Sequence, residues 1–337
     1  MKMPLTLRLN LRSGLRFLLM CLLATVLAAC TASTPAAPPS VVPSQAASSL
    51  ASVASANPAN SATPAAGGPP IAVVGTENFY ADLLAEIGGE RVQATSFIND
   101  PNADPHEFES SPQDAATVAD SQLIIENGLG YDDFMQQLIG ASPNSTRVVI
   151  NVQQLLGLPD DVNVHVWYDP ATMPKVAAAV EASLAQIEPA NAAYFNAREQ
   201  AYVTSLSAIT DRVATLKQSY AGTPIAFTEN VAGYLTDQIG LVIQTPVGFM
   251  KAIEEGTDPA PADVAAERDL FTNKTVKVLL YNSQVVSPTT QSIHDLAAAN
   301  GIPIVGVAET IPAQYHTFVE WQVAQLDAFA QALHQGG

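Results

Sequence analysis

The chain holds five histidines, His106, His165, His294, His316 and His334, among 32 acidic residues. Imidazole nitrogen and carboxylate oxygen are the donors that divalent first-row cations accept, so cation binding is the chemistry these residue types offer. His106 lies in Asp104-Pro105-His106-Glu107-Phe108-Glu109, and His165 opens His165-Val166-Trp167-Tyr168-Asp169-Pro170. The first follows an expected strand and the second precedes an expected helix, places where ligand-binding groups gather in open α/β sheets. A loop histidine is also a common solvated or locally hydrogen-bonded residue, and spacing alone does not separate the two readings. His294 and His316 fall on helical segments and read as surface residues; His334 sits near a terminus that frays. The chain has no His-Glu-x-x-His helix and no nucleophile elbow, the motifs expected of a hydrolase.

These histidines need a scaffold, and short apolar runs alternating with helical patterns supply one. Strands are expected at Ile71–Gly75, Val92–Ile98, Leu123–Glu126 and Val148–Asn151, then at Ile225–Thr228, Leu241–Gln244, Val276–Tyr281 and Ile304–Val307. Helices are expected at Asn78–Ile87, from Ser111-Pro112 (N-cap and N1), and at Ala262–Phe271, Thr289–Asn300 and Phe318–Leu333. Such βα repetition predicts an α/β fold of two lobes, each a mostly parallel sheet flanked by helices. Thr76-Glu77-Asn78, Leu83 and Ile87-Gly88 return 152 residues later as Thr228-Glu229-Asn230, Leu235 and Ile239-Gly240, which suggests related lobes. Between them, Pro189 breaks an Ala-, Glu- and Gln-rich stretch into two helices. The second, over 190–219, would be roughly 45 Å long at 1.5 Å per residue, a stiff spine that limits cleft opening.

Residues 1–29 carry Lys2, Arg8, Arg12 and Arg16 and no acid, followed by the 13-residue apolar run Phe17–Ala29. A bilayer-spanning helix needs about 20 residues, so this segment reads as an export signal. Leu27-Ala28-Ala29-Cys30 resembles the lipobox of bacterial lipoproteins, which implies that Cys30 becomes a lipidated first residue. An ordinary small-residue cleavage site is the alternative. Cys21 would leave with the signal, so neither a disulfide nor a thiolate ligand would remain. Without the signal, 10 basic residues face 32 acidic ones, a formal charge of −22. With no basic stripe, this balance excludes nucleic acid as a partner. Residues 31–70 have no charged residue and are Ala-, Ser- and Pro-rich, the composition of a disordered tether. A coil of about 40 residues reaches roughly 35 Å. The expected organisation is a signal (1–29), a lipidated cysteine and tether (30–70), an N-terminal lobe (71–189), a linker helix (190–220) and a C-terminal lobe (221–337).

The two histidine motifs, in this order, resemble the paired signatures of the zinc/manganese-type solute-binding proteins of ABC importers. The likeness spans 71–335 and includes Thr76-Glu77-Asn78-Phe79, Glu126-Asn127-Gly128-Leu129-Gly130, the spine helix and Leu280-Tyr281-Asn282-Ser283-Gln284. It implies a metal site in the interlobe cleft with His106 and His165 as ligands. Glu229, after the second lobe's first strand, would be the third ligand, and Glu309, after its last strand, the fourth. The family often has aspartate at the fourth position. Without the resemblance both acids read as helix-start residues favoured by the dipole, worth about 0.3–1 kcal/mol. Glu77 reads as a capping or supporting residue that could touch the metal, Asn127 as orienting a ligand, and Trp167 as packing that shields the cleft. Asp104 and Glu107 are expected to bond imidazole N–H groups.

Two neutral imidazoles and two carboxylates carry a charge of −2, which cancels that of a divalent ion. Nitrogen and oxygen donors suit Zn²⁺, Mn²⁺ or Fe²⁺. Inherent affinity favours zinc over manganese, whereas the chain lacks the long His-rich loop of some zinc-specific members. The resemblance implies a monomeric, non-enzymatic lipoprotein outside the cytoplasmic membrane, anchored by lipid, that delivers Zn²⁺ or Mn²⁺ to an ABC permease. The alternatives are a surface adhesion lipoprotein with a structural metal and a zinc hydrolase.

Overall fold

A computed structural model describes residues 63–65 and 68–336. The expected signal, Cys30 and most of the tether lie outside the described residues.

The first sheet is built from β1 (Ile71–Glu77), β2 (Val92–Ile98), β3 (Leu123–Glu126) and β4 (Val148–Asn151), in the order β2-β1-β3-β4. The second is built from β5 (Pro224–Phe227), β6 (Val242–Ile243), β7 (Leu279–Asn282) and β8 (Ile304–Val307), in the order β6-β5-β7-β8. Every strand pair is parallel. All four residues of β3 and of β7 are buried, as expected of strands covered on both faces. The covering helices of the first lobe are α1 (Asn78–Gly88), α2 (Pro112–Asp120), α3 (Asp133–Ala141) and α4 (Val152–Leu156). The identical strand order gives the 152-residue repeat a structural counterpart: β1 leads into α1 as β5 leads into a later helix.

Helix starts follow local chemistry. Ser111 and Asp114 form a reciprocal capping box on α2, with Pro112 at its first position. Ser287 and Thr290 do the same for a second-lobe helix that begins at Pro288.

After α5 (Thr172–Ile187), the expected single spine helix is two, α6 (Ala192–Ser205) and α7 (Ser207–Tyr220). Leu206 between them keeps helical dihedrals, φ −62° and ψ −18°, so the chain continues in the same sense. At this junction the Ser205 hydroxyl donates to the Tyr202 carbonyl at 2.6 Å, and the Leu206 N–H reaches that same oxygen at 3.2 Å. Hydroxyls that take helix carbonyls loosen the ladder. α6 packs on α1 and α5. α7 packs on α8 (Gly233–Ile239) and α12 (Phe318–Gly336).

The second lobe is completed by α9 (Val247–Glu254), α10 (Pro261–Thr272) and α11 (Pro288–Ala299). β7 begins three residues later than the apolar run from Val276 suggests. Val276 and Val278 are nonetheless buried, and Val278 accepts the Ala226 N–H. One apolar core runs through both lobes, from Ile71 and Leu83 to Ile225 and Leu333. Where the lobes meet, Phe79 stacks on Trp167 with centroids 4.6 Å apart, and Tyr168 meets Trp321 edge-on at 5.7 Å. Asp82 on α1 accepts the Phe318 N–H at the start of α12 at 2.8 Å. The core and this cap restrict how far the lobes can separate. No helix among the described residues is long and apolar enough to cross a membrane.

Candidate metal centre

Four side chains from four separate stretches converge between the lobes. Each of His106, His165, Glu229 and Glu309 offers a donor atom, and these atoms all lie within 4.8 Å of one another. His106 Nε2 is 3.5 Å from Glu229 Oε1 and 3.4 Å from Glu309 Oε2; His165 Nε2 is 3.5 and 3.2 Å from the same two oxygens. His165, Glu229 and Glu309 have fully buried side chains, while that of His106 is 22% exposed. Solvent therefore reaches the cluster from the His106 side. A groove of about 860 Å³ runs beside it, lined by Asp104 and Glu107 from the first lobe and Gln284 and Ser287 from the second.

Each side chain is held by its local fold. His106 sits in a single 3-10 turn, Pro105–Glu107, whose N-cap Asp104 accepts the His106 backbone N–H at 2.9 Å. His165 places Nδ1 2.7 Å from Asn163 Oδ1. The Asn163 Nδ2 donates to the Asn230 carbonyl, which fixes the amide so that Oδ1 faces the ring. Nδ1 then donates to Asn163, which leaves Nε2 as the ring atom directed at the carboxylates. Glu229 follows the end of β5, where the Thr228 hydroxyl accepts the Asn282 N–H at 2.9 Å. Glu309 stands two residues beyond β8, its N–H donating to Gln284 Oε1 at 2.6 Å.

Asn282, the last residue of β7, sets the two carboxylates. Its Nδ2 donates to Glu229 Oε2 at 2.6 Å and to Glu309 Oε1 at 2.7 Å. Both amide protons go to one oxygen of each acid, leaving Glu229 Oε1 and Glu309 Oε2 to face the histidines. Glu229 Oε1 and His106 Nε2 are buried without a hydrogen-bond partner. Buried polar atoms are ordinarily paired, so two orphans aimed at one point mark a place for a ligand.

The sequence model of the zinc-uptake complex component A periplasmic (ZnuA) family matches residues 73–332. The chain belongs to that family. Manganese-binding lipoprotein MntA of Halalkalibacterium halodurans is 27% identical to it over 281 residues, or 78% of this chain and 88% of that one. The periplasmic zinc-binding protein TroA of Treponema pallidum superposes with a TM-score of 0.66 at 21% identity, over 79% of this chain and 99% of that one. The protein FpvC of Pseudomonas aeruginosa, in complex with Mn²⁺, superposes with a TM-score of 0.67 at 21% identity, over 80% and 100%. At such identities the structural likeness concerns the two-lobed fold.

In this ZnuA-family chain the charges of the cluster act on one another. Burial opposes the charge on His106, but Glu229 and Glu309 outweigh it and push the imidazole up to about 11. Burial likewise works against ionised Glu309, yet the His106 and His165 rings beside it hold it well below the usual carboxylate range. Glu229 moves upward through burial and the neighbouring Glu309 charge. Two carboxylates around one point favour a cation between them, and the −2 donor set matches a divalent one.

The remaining sequence candidates sit around this cluster. Trp167 is buried against His165, edge-on with centroids 5.3 Å apart. Asn127 donates to the Val164 carbonyl at 2.9 Å, next to His165, and accepts from Tyr80. Glu77 is fully buried and stands outside the four-donor cluster. Asp104 bonds the His106 backbone in place of its ring, and Glu107 is exposed. His294 is on α11, whereas His316 lies in the exposed turn before α12, where Glu320 accepts its N–H. Sequence reasoning missed Asn282, Asn163 and Tyr131, whose hydroxyl donates to Glu309 Oε2 at 2.9 Å. The sequence signals for Asn282 were its place just past an apolar run and inside the Leu280-Tyr281-Asn282-Ser283-Gln284 segment of the resemblance.

Proposed function

We propose that this protein captures a divalent transition metal, Zn²⁺ or Mn²⁺, outside the cytoplasmic membrane and passes it to the permease of an ABC importer. In this reading His106, His165, Glu229 and Glu309 are the ligands and the ion is cargo. Cys30 carries the lipid that holds the monomer at the membrane. The observation that carries the proposal is the convergence of two imidazoles and two carboxylates within 4.8 Å, three of them fully buried. Membership of the ZnuA family, and relatives named for manganese and zinc binding, support it.

The chemistry follows from the donors. A cation enters on the His106 side, displaces the proton that His106 carries, and neutralises the carboxylate pair. Carboxylates bind through one oxygen or two, so the shell accepts the four ligands usual for zinc and the higher coordination of manganese. Release requires the lobes to shift, because each lobe supplies one pair of ligands. Titration calorimetry of Mn²⁺ and Zn²⁺ into the protein and its His106→Ala and His165→Ala variants tests the assignment. Affinity should fall by orders of magnitude in both variants; unchanged binding in both would refute it.

A further inference from the structure

Gln284 touches none of the four donor atoms, yet it joins the two loops that present His106 and Glu309. It follows β7 and is buried, with 5% of its surface exposed. Its Oε1 accepts the Glu309 N–H at 2.6 Å and the Thr310 N–H at 3.3 Å. Its Nε2 donates to the Ala103 carbonyl at 3.0 Å, and to the Thr310 hydroxyl at 3.2 Å. The Asp100 carbonyl lies 3.5 Å from the same nitrogen. Asp100 and Ala103 belong to the first-lobe loop that runs through Asp104, the cap of the turn carrying His106. The Gln284 backbone is itself fixed, its N–H donating at 3.0 Å to the oxygen of Asn282, whose nitrogen holds Glu229 and Glu309.

A primary amide suits this place because it accepts on one side and donates on the other. The accepting side fixes a second-lobe ligand by its backbone, and the donating side grips the first-lobe loop three residues before a first-lobe ligand. Apart from the His106 ring, no other side-chain hydrogen bond among the described residues ties the 99–106 loop to the second lobe. Other interlobe bonds start outside that loop, among them Asn78 with Ile311, Asp82 with Phe318, Asn163 with Asn230, Tyr131 with Glu309 and Tyr168 with Ala308. Separating the lobes at the groove would break the Ala103 bond and carry the His106 turn away from Glu309.

We infer that Gln284 is a positioning residue, an interlobe latch that keeps the His106 loop closed over the bound metal and thereby sets the rate of its release. The inference rests on the metal-binding reading proposed above.

The test is stopped-flow release of Mn²⁺ and Zn²⁺ to a chelator from the full-length protein, with equilibrium affinities from chelator competition. Gln284→Met removes every hydrogen bond of the amide at similar volume, and Gln284→Asn keeps the amide but is one methylene too short to span the gap. Both should speed release on the order of tenfold or more, as expected when buried partners are left unsatisfied, with thermal melts confirming the fold. If the Met variant does not fold, the Asn variant carries the test. In a His106→Ala background the Gln284 substitutions should cost at least about threefold less affinity than in the parent, the remainder coming from the lost contact to the Glu309 backbone. Unchanged release in the Gln284 variants, or an equal loss with and without His106, would overturn the latch while leaving the metal reading intact. An unsubstituted protein that binds neither metal would remove that reading and the latch with it.

Discussion

Glu77 and Glu229 occupy the same step of two identically ordered sheets, yet only Glu229 meets the histidines. Continuing the registers of β1 with β3 and of β5 with β7 sets Glu77 beside Asn127 and Glu229 beside Asn282. Asn282 turns its amide to Glu229, whereas Asn127 gives its own to the Val164 and Gly128 carbonyls. Both Glu77 oxygens are left buried and without a partner. Burial, and then the charge of Asp132, push this carboxyl well above its ordinary value. Glu77→Gln should therefore change metal affinity by less than about threefold, while Glu229→Gln, which replaces an anionic donor, should cost on the order of a hundredfold or more. Calorimetry on both variants checks the contrast, and equal losses would show the two positions to be functionally alike.

Asn282 makes its own prediction. Replacing it with Leu frees Glu229 and Glu309 to rotate and leaves their outer oxygens buried without donors. Affinity for Mn²⁺ and Zn²⁺ should drop about 10- to 100-fold, the usual cost of losing a partner that orients a ligand. A Leu variant that melts like the parent and binds metal normally would rule out this role.

Metal uptake should release protons. His106 is held up at about 11, so in the metal-free protein at pH 7–8 it carries a proton that the cation must displace. Apparent affinity should rise with pH, by about tenfold per unit for each proton released, and fall on acidification. Titrations in buffers of different ionisation enthalpy count that proton directly. A count of zero at pH 7.5 contradicts the coupling.

Removing the metal should leave the fold in place. The shared core through Phe79, Trp167, Tyr168 and Trp321, and the Asp82 cap on α12, contain no proposed ligand. Helical circular dichroism should survive chelation, and metal at a hundred times its Kd should add about 2.7 kcal/mol of stability. Unfolding on chelation would instead make the metal a structural element.

Glu267 offers a test of stability outside the site. It is buried in α10 with neither oxygen hydrogen-bonded, and burial raises it to about 8, with the nearby Thr245 hydroxyl offsetting only part of the shift. The unfolded chain ionises near the ordinary 4.5, so the folded state binds this proton more tightly. Stability is then lost as pH rises from about 4.5 to 8. Glu267→Gln should melt a few degrees higher than the parent at pH 8, with the gap closing toward pH 5. A gap independent of pH would mean that ionisation is not its cause.

Much of this was legible in the chain itself. β2, β3, β4 and β8 have the expected bounds, set by the turn residues that flank them, and β3, buried throughout, is apolar up to its last residue. Ser111 and Pro112 announced α2 by side-chain chemistry, whereas the Ser287 cap starts α11 one residue ahead of the expected Thr289. The break at Leu206 was less legible, since the hydroxyl of Ser205 either points to solvent or takes a carbonyl, and its sequence neighbours do not decide which.

Residue types and their order thus determined two parallel-sheet lobes, the histidine loops, and a donor set of nitrogen and oxygen without sulfur. Tertiary structure alone decided that residues from 106 to 309 meet at one point. It also decided that Glu229 and not Glu77 faces the histidines, and that Asn282, Asn163 and Gln284 hold the arrangement. The reason is physical: local sequence sets backbone propensity and burial pattern, but hydrogen bonds between distant strand ends exist only once the sheets have been stacked and registered.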